Sequence, residues 1–145
     1  MQERTIIHLN VADFAVAVEQ AVDPFLCGRP VIIALPGAAR AKVYDMSEEA
    51  YQCGVHKGMA LVRARRLCRD AIFLPPHPDR YDRAMAAFLE CAMPYSPLIE
   101  VADGYGHLFL DASGTGKLFG PARDVAWRIR KKAKTELKHS VINYC

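Results

Sequence analysis

The first 35 residues hold two short apolar stretches separated by one amphipathic stretch, and this pattern constrains the fold more than any other feature. Residues 5–9 and 31–35 are rich in β-branched and other apolar residues, which is typical of buried strands. Between them, residues 13–22 carry apolar side chains close to the helical period of about 3.6 residues. The chain is therefore predicted to open as strand, helix, strand.

Beyond position 35 the pattern predicts a compact insert and then the remainder of an α+β domain. The insert, residues 36–78, has two short helices, and the first is predicted to run from Ser47 to Cys53 with Gly54 as its C-terminal cap. The insert ends in three prolines, which make a stiff connector because proline fixes φ. The later elements are two long helices and three further strands, predicted at 79–93, 121–137, 98–101, 107–111 and 140–145. The predicted fold class is thus α+β, with a small mixed sheet backed by two long helices.

Composition is that of a soluble globular protein. The 145 residues are 52% hydrophobic and 24% charged, and the net charge of +3 identifies no partner by itself. The five cysteines form no C-x-x-C pair, which argues against a structural zinc site. No signal-peptide pattern and no run of about 20 apolar residues is present, so we expect no membrane association and a cytoplasmic location.

Four short motifs resemble the N-terminal palm and fingers of Y-family (DinB/UmuC-like) translesion DNA polymerases. They are IIHLNVADF, LCGRPVII, EAxxxGVxxGM and LFLD, at residues 6–14, 26–33, 49–59 and 108–111. The resemblance covers nearly the whole chain and implies a palm made of residues 1–35 and 79–145, with fingers made of residues 36–78. The thumb and little finger of the family are expected to lie outside this fragment.

The resemblance places the family's metal-binding positions at residues that are not acids. Y-family palms bind two magnesium ions through carboxylates. The first of these positions is occupied by Asn10. The second motif fits in two registers, which place its acid pair either at Gly106 and His107 or at Tyr105 and Gly106. Neither register supplies an acid, so we assign no catalytic residue and expect neither a metal nor another cofactor.

Two acids lie close to these positions in the sequence. They are Asp13 and Asp103. A displaced magnesium site would have to use them, but two-metal catalysis requires ions about 3.5–4 Å apart and tolerates register shifts poorly.

The resemblance also implies that the nucleotide-binding positions are non-functional. The aromatic residue that excludes a ribose 2′-hydroxyl in the family is Ala15 here. The tyrosine and arginine that contact the incoming triphosphate are replaced by Glu48 and Tyr51. Glu48 would repel a phosphate rather than bind it.

Residues 103–111 and 116–120, DGYGHLFLD and GKLFG, are closest to the catalytically defective ImuB-type branch of the family. This resemblance implies an adaptor in DNA-damage repair and SOS mutagenesis. Such an adaptor links a sliding clamp, a RecA-like accessory protein and an error-prone polymerase.

Two basic clusters are candidates for contact with DNA. The first, in the insert, consists of Arg63, Arg65, Arg66 and Arg69, and the resemblance would place it along the template. The second lies in the last predicted helix, at residues 128–134, and is interpreted as a solvated outer face.

The leading hypothesis is a non-catalytic, DNA-associated adaptor of translesion synthesis with a nucleotidyltransferase fold. The first alternative is a weakly active DNA-directed DNA polymerase that binds Mg²⁺ at a displaced site. The second is a protein-interaction module that does not bind DNA.

Overall fold

The structure is a computed structural model that describes residues 4–35, 37, 40–102 and 104–141. Within these residues the strands are β1 Ile6–Asn10, β2 Val31–Ile33, β3 Asp45–Met46, β4 Ile72–Leu74, β5 Ile99–Val101 and β6 His107–Asp111. The α-helices are α1 Phe14–Val22, α2 Glu48–Gln52, α3 Leu61–Leu67, α4 Pro78–Ala92, α5 Gly116–Phe119 and α6 Ala122–Val141. Short 3₁₀ turns occupy Pro24–Leu26 and Met93–Tyr95.

One compact unit consists of residues 4–12 and 82–141. Its sheet has the strand order β1-β6-β5 and is antiparallel throughout. Side chains alternate across a strand, so one face of this sheet is buried and the other is largely exposed. The apolar core of the unit is built mainly by β1, β6, α4 and α6 and includes Ile7, Leu108, Leu110, Phe88, Val125 and Ile129.

The other unit is a continuous stretch, residues 13–81. Its sheet has the order β3-β2-β4, with β2 antiparallel to β3 and parallel to β4. The three residues of β2 are fully buried, and α1 contacts both β2 and β3. The core of the unit includes Ile32, Val43, Ala50, Val55 and Ala64.

Local sequence signals set the ends of α2. The Ser47 hydroxyl accepts a hydrogen bond from the Ala50 N–H at 3.3 Å, which caps the first turn. Gly54 has a φ of 98° and donates its N–H to the Tyr51 carbonyl, so a glycine ends the helix as the sequence predicts. The two predicted long helices are also present as α4 and α6.

The strands differ from the sequence prediction in their grouping. β2 belongs to a different sheet from β1, and its partners β3 and β4 were not predicted as strands. A three-residue apolar strand satisfies the pattern for either sheet, because the pattern does not specify its hydrogen-bonded neighbour.

The predicted strand 140–145 is wrong for its first two residues, which are helical because neither proline nor glycine stops α6 before Val141. Residues 142–145 lie outside the described part of the chain. Among the described residues, no helix is long and apolar enough to cross a membrane.

Candidate functional site

The exposed face of the β1-β6-β5 sheet carries the first group of predicted site residues. β1 and β6 are paired from Ile6 opposite Asp111 to Asn10 opposite His107. The ladder thus places Asn10 directly opposite His107. The family resemblance assigns both positions to metal ligands. Asn10 is exposed and His107 is partly exposed.

Gly106, the third predicted metal position, lies just before β6 and is committed to backbone contacts. Its carbonyl accepts the Val11 N–H at 2.8 Å, and its N–H points to the Met85 sulfur at 3.4 Å. Its φ of 86° favours glycine, so an acid side chain at this position would be strained. The neighbouring Tyr105 hydroxyl donates to the Asp82 carboxylate at 2.6 Å.

The donor atoms at these positions do not fit a pair of magnesium ions. They are an amide, an imidazole and the backbone of a glycine, whereas Mg²⁺ sites rely on carboxylates. Within the described ranges, no group of three or more His, Cys, Asp or Glu side chains is arranged to bind a metal. Asp103, one of the two acids expected at a displaced site, lies outside the described residues.

An aromatic row occupies the same exposed sheet face, and it was not identified from the sequence. The His8 ring stacks on Phe109 with a centroid separation of 4.5 Å and an interplanar angle of 7°. The His8 ring centroid is also 5.6 Å from that of His107, and Nε2 of His8 lies 3.4 Å from Nδ1 of His107. No local spacing rule pairs residues this far apart in the sequence.

The residue 13–81 unit carries the other predicted acid, Asp13. This residue precedes α1 in a left-handed conformation, with φ 51° and ψ 46°. Partial burial raises the pKa of Asp13, and the nearby carboxylates of Asp45 and Glu48 raise it further, while Lys57 acts in the opposite direction.

Asp45 and Lys57, two of the charged groups that act on the pKa of Asp13, are paired with each other. This pairing was not predicted from the sequence. The Asp45 carboxylate is buried and accepts the backbone N–H groups of Val16 at 3.1 Å and Met46 at 3.0 Å. The Lys57 ammonium lies 3.4 Å from Asp45 and 4.0 Å from Asp13. Lys57 therefore neutralises acids of its own unit. The available signal was an acid within the otherwise apolar and aromatic run 43–46.

The predicted nucleotide-binding residues of this unit carry no phosphate-binding group. Ala15 is buried and offers only a methyl group. Glu48 is exposed in the first turn of α2. Tyr51 is also exposed, and its ring meets His56 edge-on at 5.3 Å.

A second buried carboxylate, Glu19 on α1, has a structural role. It accepts the Tyr81 hydroxyl and the Arg80 guanidinium at 2.8 Å each, and it lies 2.7 Å from His77 Nδ1. Burial, together with the hydrogen bond to Glu19, raises the pKa of Tyr81. These contacts tie the predicted proline-rich connector and the start of α4 to α1.

The four arginines of the predicted DNA-binding cluster are all exposed. Arg63, Arg65 and Arg66 lie on α3, and Arg69 follows it. The Arg65 guanidinium lies 5.1 Å from the centre of the Phe73 ring, so this side chain is partly engaged within its own unit. Arg63, Arg66 and Arg69 therefore form the more available part of the cluster.

The basic face of α6 is exposed as well. Lys131 packs over the Trp127 ring at 5.0 Å, and Arg128 donates to the Phe119 carbonyl at 3.2 Å. These local contacts agree with the interpretation of this cluster as a solvated helix face.

Comparison with known proteins places these features in a family. Residues 9–142 match the impB/mucB/samB family. DNA polymerase IV of Neisseria meningitidis serogroup B is 38% identical over 130 residues, which cover 90% of this chain and 40% of that protein. DNA polymerase IV of Dehalococcoides mccartyi is 33% identical over 137 residues, covering 94% and 35% respectively.

Solved structures share the fold. DinB from Sulfolobus solfataricus matches with a TM-score of 0.78 at 24% identity, over 93% of this chain and 38% of that one. An insertion ternary complex of Dbh DNA polymerase matches with a TM-score of 0.76 at 23% identity, over 92% and 39%. The chain thus spans two fifths or less of the length of these relatives. Because the family match covers most of its residues, the chain belongs to the impB/mucB/samB family of Y-family, DNA-polymerase-like proteins.

Proposed function

We propose that this chain acts in translesion DNA repair as a non-catalytic, DNA-associated adaptor of the ImuB type. The observation that carries this proposal is the absence of carboxylates at Asn10, Gly106 and His107, the family's metal-binding positions. Transfer of a nucleotidyl group requires metal ions that stabilise the attacking and leaving oxygens. A site that offers only an amide and an imidazole does not hold these two metal ions.

The nucleotide-binding positions support the same conclusion. Glu48 and Tyr51 replace the two residues that contact a triphosphate in the family, and Glu48 adds a negative charge. Lys57 does not compensate, because its ammonium already faces Asp45 and Asp13. Binding of an incoming nucleotide would therefore begin with like-charge repulsion.

DNA association is proposed from the exposed arginines of the insert. In this assignment residues 36–78 are the fingers, and residues 1–35 with 79–145 are the palm. Arg63, Arg66 and Arg69 then contact phosphates, as a basic surface does when it displaces counterions from DNA. The adaptor would join a sliding clamp, a RecA-like accessory protein and an error-prone polymerase, in the cytoplasm.

A chimera gives the sharpest test of the lost chemistry. The aligned 130 residues of the meningococcal DNA polymerase IV are exchanged for those of this chain, and primer extension is measured with Mg²⁺ and with Mn²⁺. The unmodified polymerase is the positive control, and circular dichroism with thermal melting shows whether the chimera folds. We expect a folded chimera that binds primer-template DNA but does not extend it.

The outcomes separate the three functions. Extension by the chimera that is lost in Asp13→Ala would establish the weakly active polymerase and overturn the proposal. A folded chain that shows no salt-dependent affinity for DNA would favour the protein-interaction module. In the chimera, Asn10→Asp alone should not restore extension, because the remaining acids and the triphosphate contacts are still missing.

A further inference from the structure

His8 of β1 and His107 of β6 place two imidazole rings side by side. Nε2 of His8 and Nδ1 of His107 are 3.4 Å apart on the exposed face of the β1-β6-β5 sheet. Among the residues that the structure describes, these rings have no hydrogen-bond partners other than each other. Both therefore present nitrogen atoms that an ion from solution can reach.

The separation of the two nitrogens matches a shared tetrahedral ligand shell. Zinc binds imidazole nitrogen at about 2.0–2.1 Å, and two such ligands at a tetrahedral angle lie about 3.3–3.4 Å apart. Imidazole suits zinc, nickel and copper, whereas magnesium prefers oxygen ligands. The same sheet end that lacks carboxylates for magnesium thus offers nitrogen ligands for a borderline transition metal.

The sheet holds this pair in place before any ion binds. His8 and His107 belong to strands joined by five residue pairs, and the Phe109 ring stacks on His8 at 4.5 Å. Asn10 lies opposite His107 on the same exposed face and can supply an amide oxygen. A preorganised pair binds more tightly because less freedom is lost on binding.

We propose that His8 and His107 together bind one divalent transition-metal ion, of the zinc, nickel or copper class. Water and the Asn10 amide oxygen complete the ligand shell, which leaves exchangeable positions on the ion. This proposal does not rest on the adaptor function. Without an ion, one of the two nitrogens can donate an N–H to the other, in a direction set by the tautomers, and this hydrogen bond competes with the metal.

The test is a calorimetric titration of the untagged chain with Ni²⁺ and with Zn²⁺. A Cys53→Ser background removes an exposed thiol, because a thiolate is itself a metal ligand. We expect one ion per chain. We also expect His8→Ala and His107→Ala each to weaken binding by about tenfold or more, since even the loss of a hydrogen bond to a ligand costs 10–100-fold.

His56→Ala is the matched control, because His56 is exposed and contacts Tyr51 rather than either histidine of the pair. It should bind nickel as the parent does. The electron paramagnetic resonance spectrum of bound Cu²⁺ should show two nitrogen ligands in the parent and one in each single variant. Thermal melting of every variant checks folding, and the melting temperature should rise with Zn²⁺ only when both histidines are present.

Three results would overturn the proposal. They are nickel binding by the double variant equal to that of the parent, equal weakening by His56→Ala, and a one-nitrogen copper spectrum in the parent. The titration measures binding only, so it can fail while the adaptor function stands.

Discussion

The Lys57 ammonium nitrogen lies 3.4 Å from Oδ1 of Asp45, a carboxylate whose side chain is 4% exposed. The lysine side chain itself is 55% exposed. This pair joins a solvated cation to a buried anion, so the two partners have different energetic roles. Removing the cation leaves the carboxylate buried with two backbone N–H donors, whereas removing the anion only exposes the lysine further.

We therefore expect Lys57→Met to lower the free energy of unfolding by about 1–2 kcal/mol, less than for a fully buried pair because Lys57 is half exposed. Urea denaturation monitored by circular dichroism measures this change. Lys42→Met is the matched control, since Lys42 is exposed, and it should cost less than about 0.5 kcal/mol. Adding Asp45→Asn should recover part of the loss. An unchanged midpoint for Lys57→Met would show that the pair contributes nothing.

Asp13 should make stability depend on pH in the opposite sense to an ordinary ion-paired aspartate. Its pKa is raised above 3.8, chiefly by burial, so the folded state binds a proton more readily than the unfolded state. Protonation of Asp13 therefore adds to the free energy of unfolding. This contribution grows as pH falls through the raised pKa, is fully present below about 3.8, and is lost at neutral pH.

Asp13→Asn removes that titration and suits the left-handed backbone, which asparagine tolerates. We expect the variant to be more stable than the parent at pH 7, with the difference shrinking as the parent carboxyl is protonated. Urea midpoints between pH 3 and pH 7 measure the difference. A variant that is relatively most stable at low pH would contradict the assignment.

Glu19 should be among the most sensitive polar positions in the 13–81 unit. Glu19→Ala removes the carboxylate that accepts hydrogen bonds from the buried Tyr81 hydroxyl and the Arg80 guanidinium. We expect a loss of about 2–3 kcal/mol in the free energy of unfolding. Glu90→Ala, at an exposed position of α4, provides the comparison and should change the midpoint little. Similar losses for the two variants would argue against a structural role for the Glu19 contacts.

Charge reversal of Arg63, Arg66 and Arg69 should weaken DNA binding about uniformly across sequences. Each lost phosphate contact should also flatten the slope of log affinity against log salt by about 0.9. Arg65 is left intact because it packs over Phe73. Fluorescence anisotropy at several salt concentrations measures both quantities.

Reversal of Arg130, Lys131 and Lys132 serves as the comparison and should have the smaller effect. If both clusters prove equally dispensable, the proposed association with DNA loses its support in this chain. The protein-interaction module would then be favoured.

A magnesium-nucleotide complex should bind weakly or not at all, because Glu48 presents a negative charge to the phosphates. Calorimetry with a deoxynucleoside triphosphate tests this directly. A dissociation constant in the low micromolar range would contradict the prediction, as would weaker binding after Glu48→Tyr.

The features predicted correctly from sequence are those set by near neighbours along the chain. Ser47 and Gly54 mark the ends of α2 through contacts within one helical turn. The stack of His8 on Phe109, the Glu19 contacts with Arg80 and Tyr81, and the pairing of β2 with β4 were not predicted. Each depends on residues that are distant in sequence, such as Glu19 and Tyr81, which are 62 positions apart. Periodicity identifies which residues are buried, but it does not specify their partners.

The ladder between β1 and β6 joins segments that are distant along the chain, and beside it the Thr5 N–H donates to the Ser113 hydroxyl across 108 positions. Loop closure over such a distance costs entropy before any contact can offset it. Residues 13–81, by contrast, need no partner from later in the described chain to complete their sheet. Among the described strands, β1 is made before its partner β6, and residues 13–81 can form their sheet in the interval. β1 is thus made before the β3-β2-β4 sheet but is paired after that sheet can form.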